Sequence, residues 1–325
     1  METNTGNCGK TIGCDRGRSA RNGNQLQSEH IGNRQADNAI GTGRQVSGRK
    51  STSRHHAAAV EFRAMAHAPK ILVFDSGVGG LSVLAAVRAR APGCDFVFAC
   101  DNAAFPYGAK GEAELVERVD KVLHQLVRRE QPDVLVVACN TASTVALPRL
   151  RERIPNPVVG VVPAIKPAAA RSATRVIGLL GTPGTVSRPY TRQLIADFAA
   201  DCEVICVGSS RLVDIAEQAL RGTAPDIDEL RTILAPLFAN PALDTLVLAC
   251  THFPLLAEAL AMAAPRPVHW VDSGDAIARR VLTLLSGPTD GPDLGFRTLF
   301  TGAAGSDILH PALSAQGCRE ITVLP

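Results

Sequence analysis

Two stretches of this sequence echo one another: Asp133-Val-Leu-Val-Val-Ala-Cys139-Asn140-Thr141 and Asp244-Thr-Leu-Val-Leu-Ala-Cys250-Thr251-His252. Each is an apolar run that ends in Ala-Cys and passes directly into hydrogen-bonding residues. A lone cysteine at a strand end is most often a small buried hydrophobe. Two thiols at equivalent places in two similar halves suit a different task, proton transfer on opposite faces of a small ligand. One sulfur, as thiolate, removes an α-proton, and the other, as thiol, returns one to the far face, which inverts a stereocentre with no cofactor. A free thiol titrates near about 8.5, so the thiolate needs hydrogen bonds, cations or a helix N-terminus beside it. Asp75 and His252 are local candidates to steer the protons, and Asp214, in Arg211-Leu-Val-Asp214-Ile-Ala-Glu217, is a third. Each has a plainer alternative: a helix cap for Asp75, a hydrogen-bonded core histidine for His252, a solvated helix face for Asp214.

The residues just after apolar runs matter because ligands of open parallel sheets bind beyond the carboxyl ends of the strands. The first run ends in Phe74-Asp75-Ser76 and enters Gly77-Val78-Gly79-Gly80. That turn has neither the GxGxxG order of a dinucleotide fingerprint nor the Lys-Ser/Thr ending of a P-loop, so nucleotide binding is disfavoured. A tight strand-to-helix turn with exposed backbone N–H groups, suited to a carboxylate, is the better reading.

Short β-rich runs alternate with Ala/Leu-rich helical stretches from residue 69 onward, the pattern of βαβ units. Strands are expected at 71–74, 96–99, 134–138, 158–161, 176–180, 203–207, 245–249 and 268–271, and their near-continuous apolarity implies sheets covered on both faces. Helices are expected at 80–90, 111–129, 142–153, 187–201, 210–221, 227–239, 254–263 and 275–285. The fold class that follows is α/β: two similar parallel-sheet domains related by a pseudo-two-fold, with both cysteines at one interdomain cleft.

Composition excludes several other classes. The 325 residues are 46% hydrophobic and 20% charged, within the range of soluble globular chains. Net charge is +3, but residues 1–68 hold ten Lys/Arg against five Asp/Glu, so the body is slightly acidic. No clustered basic face is visible, and direct nucleic-acid binding is not expected. Nine cysteines without a CxxC pair argue against structural zinc or a disulfide framework, and no metal is expected. The start has no signal-peptide core and no run of apolar residues is long enough to span a bilayer, which places the chain in the cytoplasm, away from membranes. Residues 1–64 are rich in Gly, Asn, Arg, Ser and Gln with no apolar period. Residues 1–68 read as a disordered leader or a mis-assigned start, with Met65 a compact alternative beginning.

Five segments together resemble glutamate racemase, of the aspartate/glutamate racemase superfamily: FDSGVGGLSVL (74–84), DNAAFPYGAKG (101–111), ACNTAST (138–144), GLLGTPGTV (178–186) and ACTHFPLL (249–256). The resemblance covers residues 70–286. It implies a cofactor-independent interconversion of L- and D-glutamate for peptidoglycan synthesis, with Cys139 and Cys250 as acid and base. Asp75 and His252 would assist at their respective thiols. Substrate contacts would come from Asp75, Ser76, Tyr107, Gly108, Asn140, Thr141, Thr251 and His252. At Asp214 the resemblance leads one to expect a Glu, in an LVE segment, and the shorter side chain would need a water to reach the site. Residues 69–166 and 274–325 would form a first, discontinuous domain, and 167–273 a second domain inserted in it. Partners would be the two glutamate enantiomers and, in the assembly, a homodimer. Aspartate racemase of the same superfamily is the alternative enzyme, and a second role as a gyrase-binding inhibitor the alternative of another class.

Overall fold

The computed structural model describes residues 68–325, so the expectations for the leader lie outside the described residues. The chain enters on strand β1 (Lys70–Asp75), whose residues are almost wholly buried because both faces are covered. Helix α1 (Leu81–Arg90) leads to β2 (Asp95–Cys100), and the long helix α2 (Glu112–Glu130) leads to β3 (Val134–Val137). Next come α3 (Asn140–Arg153), β4 (Val158–Gly160) and α4 (Ile165–Arg171). A second series follows: β5 (Val176–Gly181), α5 (Pro183–Ser187), α6 (Pro189–Phe198), β6 (Glu203–Gly208), α7 (Arg211–Leu220), α8 (Ile227–Phe238), β7 (Thr245–Leu248), α9 (Ala257–Ala263) and β8 (His269–Val271). The chain closes with α10 (Gly274–Leu282), β9 (Phe296–Phe300), α11 (Ser306–Ala315) and β10 (Cys318–Val323).

Among the described residues, ten strands form two parallel sheets within one compact unit. The six-stranded sheet runs β10-β9-β2-β1-β3-β4 and the four-stranded sheet runs β6-β5-β7-β8. The order β2-β1-β3-β4 in the first is therefore repeated as β6-β5-β7-β8 in the second. In both, the strand order reverses at one central pair, β1 with β3 and β5 with β7, where a ligand crevice is expected. Side chains alternate between faces. Ile71 and Val73 join the core under α1 and α10, while Leu72 and Phe74 join the core under α2 and α3. Two further cores cover the smaller sheet.

The chain crosses between the sheets twice, and the crossings are tied together by Ser273 Oγ donating to the Val162 carbonyl at 2.6 Å. After the return, α10 packs on α1 of the first sheet. Helix α4 belongs to the second sheet, since Ile165, Ala168 and Ala169 share a core with Ile177 and Leu179. The outgoing crossing thus falls near residues 162–164, slightly before the residue-166 boundary expected from sequence.

Strands β3 and β7, which lead to Cys139 and Cys250, are each preceded by an aspartate that ties the strand start to its surroundings. Asp133 Oδ2 accepts from the Lys70 N–H at 2.7 Å. Asp244 accepts from Ser172 Oγ at 2.7 Å and from the N–H groups of Ala173 and Thr174 at 2.8 and 2.9 Å. Burial pushes the Asp244 carboxyl up, but the Ser172 hydroxyl and the Thr174 N–H outweigh it and hold it at about 2, below its ordinary 3.8. A lowered value contributes stability that is full above the ordinary pKa and lost as pH falls through the folded one. Asp244→Ala should therefore cost about 1 kcal/mol at neutral pH, because the carboxylate is only partly buried and its bonds are screened by solvent. In urea unfolding, the wild-type advantage should shrink as pH drops from about 4 toward 2.

Candidate active site

The carboxyl ends of β1, β3, β5 and β7 open onto one cavity of about 200 Å³, a size that suits a single amino acid. It is lined from the larger sheet by Asp75, Ser76, Cys139, Asn140 and Thr141, with Tyr107 and Gly108 from the segment after β2. From the smaller sheet come Thr182, Thr185, Cys250, Thr251 and His252, and α7 contributes Val213 and Asp214. All the residues singled out from sequence thus border the same space. Phe105, Thr182, Thr185 and Ser210 border it too, without having been singled out.

The two thiols have different surroundings. Cys139 is the N-cap of α3, and its sulfur accepts from the Ala142 N–H at 3.5 Å and lies 3.5 Å from Ser76 Oγ. Burial, and then the negative charge of Asp75, push its pKa well above the ordinary thiol value despite those donors. Both effects favour the thiol over the thiolate. Helix α3 begins at Asn140, two residues earlier than the apolar pattern implies, so Asn140 and Thr141 occupy its first turn, where backbone N–H groups lack intrahelical partners. Asn140 Oδ1 is buried with no hydrogen-bond partner among the described residues.

Cys250 Sγ lies 3.8 Å from His252 Nδ1, and His252 Nε2 lies 3.0 Å from Glu217 Oε1. Burial lowers the imidazole pKa, but the contacts to Cys250 and Glu217 outweigh it and raise it from 6.5 to about 10. A ring that donates at both nitrogens is an imidazolium. Burial likewise pushes Glu217 up, yet the hydrogen bond and charge of His252, the Val78 N–H and Arg221 hold it below the usual carboxylate range.

Glu217 is the residue that sequence reasoning missed. Asp214 was the acid singled out on this helix, but it is exposed at the cavity rim, whereas Glu217, three residues on, is buried against His252. Residues at i and i+3 share a helix face, so Asp214 borders the cavity while Glu217, one turn along, meets the His252 ring.

The Gly77–Gly80 turn also differs from expectation. Its backbone is buried, and the Val78 N–H donates to Glu217 Oε1 at 3.3 Å, so the carboxylate it holds belongs to the chain itself. The glycines permit close approach between the halves: a Cβ on Gly79 would strike the His252 ring and lie 2.6 Å from Thr251 Oγ1. Asp75 links the same halves, accepting from Ser76 N–H at 2.6 Å and from Thr251 Oγ1 at 2.8 Å. Gly79→Ala should displace the imidazole and lower kcat/KM by about 10²-fold. Ring displacement should show as a shift of the His252 resonances in NMR, and unmoved resonances with full activity would contradict the packing. Tyr107 donates its hydroxyl to buried Asp101, which Arg118 and Thr301 also contact, so Tyr107 meets the cavity through its ring or backbone.

Comparison with known proteins gives this geometry a family. The model of the Asp/Glu/hydantoin racemases matches residues 81–281. The chain belongs to this racemase family, and is an enzyme of the amino-acid racemase class. Among individual relatives, a glutamate racemase of Pectobacterium atrosepticum is 52% identical over 227 residues, covering 70% of this chain and 79% of the relative. The crystal structure of Escherichia coli glutamate racemase in complex with L-glutamate and the activator UDP-MurNAc-ala is 45% identical with a TM-score of 0.75, covering 79% of this chain and 98% of that one. Glutamate racemase from Thermus thermophilus in complex with β-chloro-D-alanine is 31% identical with a TM-score of 0.64, covering 79% and 96%.

Proposed function

We propose that the protein interconverts L- and D-glutamate by proton transfer between Cys139 and Cys250. The observation that carries this is the opening of two thiols, from the ends of corresponding strands β3 and β7, onto one amino-acid-sized cavity. Names of the relatives supply the choice of glutamate.

In the proposed cycle the Cys250 thiolate, held against the His252 imidazolium, takes the α-proton of one enantiomer. Electrons of the broken Cα–H bond pass into the α-carboxylate, giving an enediolate-like intermediate. Stabilising that charge is the main task of the site. First-turn N–H groups at Asn140 and Thr141 are placed for the carboxylate, and Asn140 Oδ1 for the ammonium. The Cys139 thiol then gives its proton to the opposite face. Product leaves with Cys139 as thiolate and Cys250 as thiol, the state that processes the other enantiomer. Asp75 and Ser76 attend Cys139 as His252 and Glu217 attend Cys250, and no cofactor takes part. The same reading places the enzyme in the cytoplasm, supplying D-glutamate for peptidoglycan.

Circular dichroism with L-glutamate and L-aspartate side by side tests the substrate. Decay of the glutamate signal to zero is expected. Turnover of aspartate alone would overturn the assignment.

A further inference from the structure

Glutamate brings a second carboxylate, and among the described residues no Lys or Arg lines the cavity, whereas the carboxylates Asp75 and Asp214 do. A cation close by is Arg188, in the junction between α5 and α6. Its Nη1 is buried without a hydrogen-bond partner among the described residues, an unusual state for a guanidinium nitrogen. It lies against a glycine: a Cβ on Gly184 would lie 3.3 Å from Nη1, 3.5 Å from Nη2 and 3.4 Å from the Gly108 carbonyl oxygen. The guanidinium and the Gly108 carbonyl thus both lie beside Gly184, and Gly108 borders the cavity together with Thr182 and Thr185. Burial lowers the Arg188 pKa, and the nearby negative charge of Glu112 works against that.

We infer that Arg188 is a specificity-determining residue, supplying through its unpartnered Nη1 the counter-charge for the side-chain carboxylate of the substrate at the Gly108–Thr182–Thr185 end of the cavity. The α-centre must lie between the two sulfurs, near Asn140, Thr141 and Thr251, so the side chain extends toward that other end. A shorter dicarboxylic amino acid falls a methylene short of it. This inference rests on the glutamate reading.

The test compares wild type, Arg188→Gln and Arg188→Lys on glutamate and on β-chloroalanine, which has no second carboxylate and reports α-proton removal through chloride elimination. A lost charge-assisted contact corresponds to about a ten- to hundredfold effect. In Arg188→Gln, the ratio of kcat/KM for glutamate to that for β-chloroalanine should fall by that factor, mostly through a higher KM for glutamate, and Arg188→Lys should recover part of it. An unchanged ratio, whether both rates fall together or neither falls, overturns the inference. Wild-type enzyme that eliminates chloride from β-chloroalanine but leaves glutamate unchanged overturns the glutamate reading, and the inference with it.

Discussion

Cys139→Ser and Cys250→Ser should each lose racemase activity by about 10³- to 10⁴-fold, while retaining elimination of opposite enantiomers of β-chloroalanine. A serine hydroxyl is a far weaker acid than a thiol and supplies no ionised base at neutral pH. Racemisation needs a base on one face and an acid on the other, so either substitution stops it. Elimination needs only the base, since chloride departs with the electrons released at Cα. Each variant should therefore keep the enantiomer whose α-proton faces its remaining cysteine. Both side chains are buried, and Cys to Ser changes little volume, so the cost to folding should be modest. The measurement is pyruvate release from D- and L-β-chloroalanine. The same preference in both variants would mean that one base serves both faces.

His252→Asn should produce the second large effect, a loss of about 10²- to 10⁴-fold in kcat/KM, because it removes the imidazolium beside Cys250. Enantiomers have equal free energy, so kcat/KM must fall equally in both directions of racemisation. The asymmetry appears in irreversible elimination: the enantiomer handled by Cys250 should suffer, and the one handled by Cys139 much less. Glu217→Gln should give a milder version, since the amide keeps the contact to Nε2 but withdraws its negative charge. A pH signature distinguishes the ion pair from simple packing. His252 has a raised pKa, so its contribution to stability is full below about 6.5 and is lost as pH rises through about 10. Urea unfolding of the wild type should weaken across that interval, and Glu217→Gln should flatten the dependence. Parallel profiles for the two proteins would remove the pair from the account of His252.

Much of this arrangement is legible in the sequence because parallel strands covered on both faces must be continuously apolar. Ile71 to Phe74 and Val134 to Val137 announce themselves, and the polar residue after each run is a site candidate by position alone. The closing strands are silent for the converse reason. Arg297 interrupts β9, and β10 lies at the sheet edge with Arg319 and Glu320 exposed, so neither shows an apolar run. Helix α4 is masked by Pro167 and a run of alanines, which carry little periodicity. Glu217 escaped for a different reason: its importance lies in a contact with a residue 35 positions away, and helix spacing alone cannot rank it above Asp214. The role of the Gly77–Gly80 turn likewise depends on what the second sheet brings against it.

The two-thiol mechanism is tested most directly by initial turnover of L-glutamate in deuterium oxide, with the enantiomers separated and their α-positions examined by NMR. Each thiol exchanges with solvent, so a proton removed on one face is replaced from the other sulfur by a deuteron. The mechanism predicts D-glutamate deuterated at Cα from the first turnovers, with the remaining L-glutamate unlabelled. Early deuterium in both enantiomers would show a single base that returns protons to either face, and would contradict it.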